Sequence, residues 1–220
     1  MSTKLRNIHK FVAGSLAVAG VAVIGVAATT YADNITQLEQ EILPATLSTD
    51  VVNASGTPVA NPAVVFPDIA QSAAVETSTA DYPSGTNRAL VSNPAGDSTW
   101  SLQLQAYNPP THNTALWQRD GGGGSFDFNG TAAQGQMTID ATVAGGATLT
   151  NVAGTATGIS RQVSPEAFAQ GTKDIINILT ATGAAPWEGY LTGIKIHQTI
   201  PAGQASGIYH INLQQTITNS

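Results

Sequence analysis

The chain is predicted to be all-β: an antiparallel β-sandwich, immunoglobulin-like or jelly-roll-like, of about ten strands with one short helix. Three observations predict it. Charged residues make up only 10 % of 220, far below the roughly 25 % of an ordinary soluble domain. The 22 Gly and 11 Pro punctuate a chain rich in Thr, Ala and Val, a composition that suits short strands and turns. Several segments alternate apolar and polar residues with a period of two. Heptads and 20–50-residue repeats are absent from the sequence, which disfavours coiled coil and solenoid.

The elements follow in order. Lys4, Arg6 and Lys10 precede an uncharged apolar run over residues 11–28, and Ala32 precedes the polar Asp33-Asn34. Residues 1–32 therefore read as a secretory signal peptide cut after Ala32, although the run is also near the length of a membrane anchor. Residues 33–44 form a separate N-terminal segment, with Ile35, Leu38, Ile42 and Leu43 at helical spacing and Pro44 ending it. The sandwich domain is expected over residues 45–220. Residues 45–52 read as a strand before the turn Asn53–Gly56. The prolines in 57–67 demote that stretch to an edge strand or extended loop. A strand is expected over 72–82, and a short strand and a turn over 88–97.

Trp100, Leu102, Leu104 and Ala106 alternate with Ser101, Gln103 and Gln105, so one face of this strand is buried and the other wet. Residues 135–144 repeat the pattern. Residues 147–160 read as a strand bent at Gly154, and the β-branched run 174–182 as another strand. Ser164 as cap and Pro165 as first residue mark the short helix. The C-terminus reads as a hairpin in which Ile196 faces Ile211 and the two edges bring His197 opposite His210.

Composition narrows the chemistry. The chain has no Cys, which excludes a disulfide framework, Cys-ligated zinc and a thiol nucleophile. Removing residues 1–32 takes three of the eight cations and none of the fourteen anions, leaving five against fourteen. Such an acidic surface repels polyanions, so a nucleic-acid partner is not expected. After signal cleavage no membrane partner is expected either. A G-x-S-x-G elbow is missing, and of His112, His197 and His210 the hairpin brings only His197 and His210 together, two ligands where a catalytic zinc site usually has three. The sequence therefore predicts no enzyme and no cofactor, with one open metal question. Asp120, Asp127 and Asn129 flank a Gly-rich loop that could wrap calcium through oxygen ligands. Trp100 belongs to the core by alternation. Trp117 and Trp187 lie near loops and are read as exposed aromatics open to a ligand.

Two stretches resemble the WxL family of secreted surface proteins of Gram-positive bacteria. Arg88 and the turn Asn93–Gly96 precede Trp100-Ser101-Leu102, similar to the family's first W-x-L stretch. Near the end, Tyr209 and Leu213 match the second stretch, Ile217 stands at its Leu position, and Gln215 replaces its Trp. The opening of the domain, residues 46–62, is similar to camelysin-like matrix fibre proteins. The first resemblance implies non-covalent attachment to peptidoglycan; the second implies self-assembly. Three functions are carried forward. The chain is a secreted non-enzymatic structural or binding protein of the cell surface, with cell-wall glycan or other surface proteins as partners. Alternatively, it is a subunit of an extracellular fibre or pilus assembled by strand donation from residues 33–43. The third is an exported carbohydrate-binding protein or enzyme. N-terminal sequencing of exported material is expected to begin at Asp33; material that begins at Met1 or Ser2 would exclude cleavage.

Overall fold

The computed structural model describes residue 40, residues 45–107 and residues 116–219. The expectations for the signal peptide, for His112 and for the segment 33–44 (Gln40 apart) lie outside the described residues. The chain divides into two compact units, Met1–Glu41 and Ile42–Ser220, and the strands described here belong to the second. The described residues contain fifteen strands and no helix, so the chain is all-β.

The first sheet is ordered β1 (Ser48–Val52), β3 (Arg88–Asn93), β12 (Trp187–Thr192), β8 (Thr148–Gly154). The second is β10 (Glu166–Ala167), β7 (Met137–Asp140), β13 (Ile194–Ile200), β2 (Glu76–Tyr82). The third is β15 (Leu213–Asn219), β4 (Thr99–Ala106), β11 (Ile175–Thr182), β9 (Ile159–Arg161). The fourth, small sheet is β14 (Tyr209–His210), β5 (Leu116–Arg119), β6 (Ser125–Asp127). Every pairing is antiparallel.

The first two sheets share one central strand. β12 and β13 are separated only by Gly193. On one flank Leu191 faces Ala89 and Ile194 faces Tyr82. On the other, Thr192 faces Thr148 and Lys195 faces Asp140. Residues 83–87 and 141–147 are looped out where the central strand turns its corner. Gly193 sits at φ 71°, where a side chain is strained, and a Cβ there would lie 2.6 Å from the carbonyl oxygen of Gly146. The corner therefore requires glycine.

Alternation decides what fills the space between layers. Trp100, Leu102, Leu104 and Ala106 of β4 are all buried, as the sequence predicts. Ile176, Ile178 and Leu179 of β11 join them, with a bulge at Ile178 letting two consecutive residues point inward. Trp100 stacks on Trp187 of the first sheet, ring centroids 6.2 Å apart and planes 17° from parallel. The Trp187 indole lies over Gly189, where a Cβ would meet a ring carbon at 2.1 Å. Trp187 Nε1 donates to Asn151 Oδ1 of β8 at 3.0 Å. Trp187 is therefore a core residue, 2 % exposed, not the exposed aromatic expected from its neighbouring loop residues.

Two further expectations are corrected. Residues 164–167 do not start a helix. Glu166 and Ala167 pair with Ile139 and Thr138 at the edge of β7, and Phe168 is fully buried just beyond. Gly171 follows too soon for a helix to repay its nucleation. The C-terminal hairpin also does not form. Both edges of β13 are occupied, Ile196 lying between Ala80 and Ile139. β15 pairs instead with β4 in the third sheet. Its alternation is the same whichever strand it joins, so periodicity alone could not choose the partner.

Replacing Gly193 by Ala is expected to cost at least about 2 kcal/mol, because it adds positive-φ strain to a backbone clash. Trp100→Ala should cost roughly 3–5 kcal/mol. Urea unfolding of both variants checks these values, and an unchanged midpoint in either would exclude the corresponding account.

Candidate functional site

The fourth sheet is fastened to the second by one buried amide. Gln198 lies on the inward face of β13 behind Ile194 and Ile196 and is 2 % exposed. Its Oε1 accepts from Trp117 Nε1 at 2.9 Å. Its Nε2 donates to the carbonyl oxygens of Thr199 at 2.8 Å and Asp127 at 3.3 Å. A buried polar side chain is tolerated when its hydrogen bonds are made, and here they tie β13 to β5 and β6.

An aromatic column grows from that anchor. Trp117 stacks on Phe126 at 5.7 Å, and Phe126 meets Tyr209 at 5.2 Å. Phe66 closes the other side, edge-on to Trp117 at 5.6 Å. Phe66 comes from the irregular segment 60–75, where Pro62 and Pro67 have no N–H to join a sheet. Ser84 Oγ donates to Ala63 O at 2.5 Å, Ser78 Oγ to Pro67 O at 3.2 Å and the Gly203 N–H to Ser72 O at 2.8 Å, and these bonds hold the strap.

A cleft lies on each side of the strap, and both are lined by Val64, Phe66, Trp117, Tyr209 and His210. The first, about 440 Å³, opens between β1, β15 and residues 62–66. The second, about 540 Å³, opens between the strap and the loop 200–210.

The wall of the first cleft is a neutral hydrogen-bond chain across three sheets. Tyr82 Oη donates to Gln215 Oε1 at 2.9 Å. Gln215 Nε2 donates to Thr49 Oγ1 at 2.6 Å, and Thr49 Oγ1 donates to the Leu90 carbonyl at 2.7 Å. Burial of Tyr82 raises its hydroxyl pKa well above the ordinary tyrosine range, so this donor keeps its proton in alkali.

The structure distributes the residues singled out in the sequence as follows. Trp100 and Leu102 lie in the core on β4; Leu213 and Ile217 lie beside them on β15, Ile217 directly opposite Leu102. Tyr209 is not in that sheet. It pairs with Arg119 in the fourth sheet and faces the clefts. Trp117 is 9 % exposed, a correction to the expectation of an open aromatic, because Phe66, Phe126 and Gln198 enclose it. The calcium set is not assembled. Asp120 contacts His210, Oδ2 to Nε2 3.1 Å, while Asp127 faces Leu116 at the far end of the hairpin, roughly 13 Å away along the strand. Asn129 is buried. Among the described residues no group of three or more His, Asp or Glu is placed to hold a metal. His197 lies against Thr79, not His210, with Nδ1 to Oγ1 at 2.7 Å. Phe66 and Tyr82 carried no sequence signal for this site; Gln198, inside an apolar alternation, was the one visible irregularity.

Gln198→Leu should destabilise by about 2–3 kcal/mol, since it orphans the Trp117 N–H and the Asp127 carbonyl. For Tyr82, the folded state holds its proton more tightly than the unfolded state. Stability tied to it is complete below the unfolded pKa near 10 and is lost as pH rises beyond it, with a slope of at most about 1.4 kcal/mol per pH unit. Unfolding at pH 9, 10 and 11 should show a steeper decline for the parent than for Tyr82→Phe; parallel curves would exclude this origin. Comparison with protein-family models, with curated proteins and with solved structures gives no match for this chain.

Proposed function

We propose that the chain is a secreted, non-enzymatic structural or binding protein of the cell surface, held non-covalently at the cell wall. The observation that carries this reading is the pair of clefts around Phe66 and Trp117. They form a concave, aromatic-floored surface of the size that ligand sites have. Three polar side chains that line them, Gln198, Tyr82 and Gln215, are engaged in structural hydrogen bonds. That favours recognition over chemistry. Glycan or another surface protein is the partner class proposed for the site.

A fibre subunit is the second reading, and one feature favours it. β8 is a seven-residue sheet edge without a charged side chain, and Val152 on it is 49 % exposed. Edges of soluble proteins are usually guarded by charge or proline. The other long edges differ: β1 contacts β15, and the strap bonds to β2 through Ser78. An unguarded edge can accept an added strand, residues 33–43 of a neighbour being the donor in this reading.

Fractionation of the producing cells separates the readings. Recovery of monomer from the surface by denaturant alone supports wall attachment, whereas a cytosolic location overturns export. Polymers from residues 33–220 and a stable monomer from residues 45–220 in size-exclusion chromatography would replace the first reading by the second.

A further inference from the structure

We infer that the second cleft is a binding site for a small cationic amphiphile, a molecule with an apolar body and one positively charged end. The inference goes beyond the binding reading above: it gives this one cleft a ligand other than glycan, and it rests on that reading only in taking the cleft to be functional.

The interior of the cleft sets the apolar half of the ligand. Its floor is Trp117 and Phe126, and Ile200 and Pro201 continue it. The one buried amide within reach, Gln198, has its acceptor and donor capacity committed to Trp117, Thr199 and Asp127. The interior therefore offers packing, and a polar body would be dehydrated there without compensation. The lips are apolar too: Val65 is 83 % exposed and Ile208 66 %. Large apolar side chains left in water on both sides of an opening mark a surface that gains by being covered.

The rim sets the charged half. Asp68, on the strap, and Glu76, at the start of β2, both line the cleft, and no Lys or Arg does. Neither carboxylate takes part in an ion pair among the described residues. An apolar cavity with an acidic mouth favours a cation and disfavours an anion. This disfavours the most obvious occupant from the same chain. The segment 33–43 brings the carboxylates of Asp33, Glu39 and Glu41 and no Lys or Arg, so even with the α-ammonium of a mature N-terminus it is net negative and meets the mouth with like charge. A second copy is disfavoured for the same reason, since the whole chain carries a net charge of −6. The volume, about 540 Å³, suits one small molecule; an α-helix, about 10–12 Å across with its side chains, needs a longer trough.

The test uses the intact mature chain, residues 33–220, and follows tryptophan fluorescence. The probes share one apolar tail and differ in headgroup: octyltrimethylammonium, octyl glucoside and octyl sulfate, each below its micelle concentration. The cation is expected to bind at least tenfold more tightly than the anion, with the glucoside between them. Asp68→Asn with Glu76→Gln should bring the cation down to the glucoside without changing the far-UV spectrum. Trp117→Phe should remove the fluorescence response. Should that variant fold poorly, the cation-induced rise in the parent's thermal midpoint, and its loss in the double variant, reads the same interaction. Equal binding of the three probes would overturn the ligand class and leave the binding reading standing. Tighter binding of octyl sulfate, or a response that survives Trp117→Phe, would overturn the assignment of the site. Binding of none would overturn the amphiphile site, while the surface-protein reading stands or falls by the fractionation above.

Discussion

The corner at Gly193 is the constraint on which the architecture depends. A strand that runs through two sheets must change direction without losing the ladder on either flank. One residue at positive φ does this, with the Gly146 carbonyl packed where a side chain would be. The flanking strands cannot follow so sharp a turn, and they release residues 83–87 and 141–147 as loops. Beyond the corner, β13 carries Ile196 and Gln198 to the place where the fourth sheet docks. The site around Phe66 and Trp117 thus owes its position to a backbone requirement far from it in sequence.

The second organising feature is the choice of side chains that join the layers. Trp100 and Trp187 fill the space between the first and third sheets, and this is possible because Gly189 leaves room for the indole. Where the sheets meet at their edges, amides take over. Gln215 joins the third sheet to the first and second, and Gln198 joins the second to the fourth. Each is held at more than one atom. The amide at 215 therefore has a structural task of its own at a position where the WxL resemblance would place an indole.

Much of the fold was legible because burial on one side of a strand writes itself into the sequence with a period of two. β4, β7 and β13 were visible in this way, and the inward position of Trp100 followed. Partner choice was not legible, because β15 shows the same alternation beside β4 as it would beside β13. The short strands β6, β9, β10 and β14, two or three residues each, contain too few positions to show a period. The fate of Trp117 and Trp187 was hidden for a related reason. Neighbouring Gly and Pro mark a loop nearby, but enclosure by Phe66 or Asn151 depends on contacts distant in the chain. The clefts themselves arise from the irregular strap, whose prolines signalled only that it would not be a central strand.

The neutrality of these joints has a consequence for the conditions the protein can meet. The three ion pairs among the described residues, Lys173–Glu166, Lys195–Asp81 and His210–Asp120, have side chains 36–66 % exposed, a setting in which such pairs contribute little. The contacts that hold layer to layer are indole, amide, hydroxyl and carbonyl, none of which gains or loses a proton between mild acid and mild alkali. Nor are they weakened by added electrolyte in the way exposed charges are. A molecule built like this keeps one shape while the water around it changes in salinity and acidity.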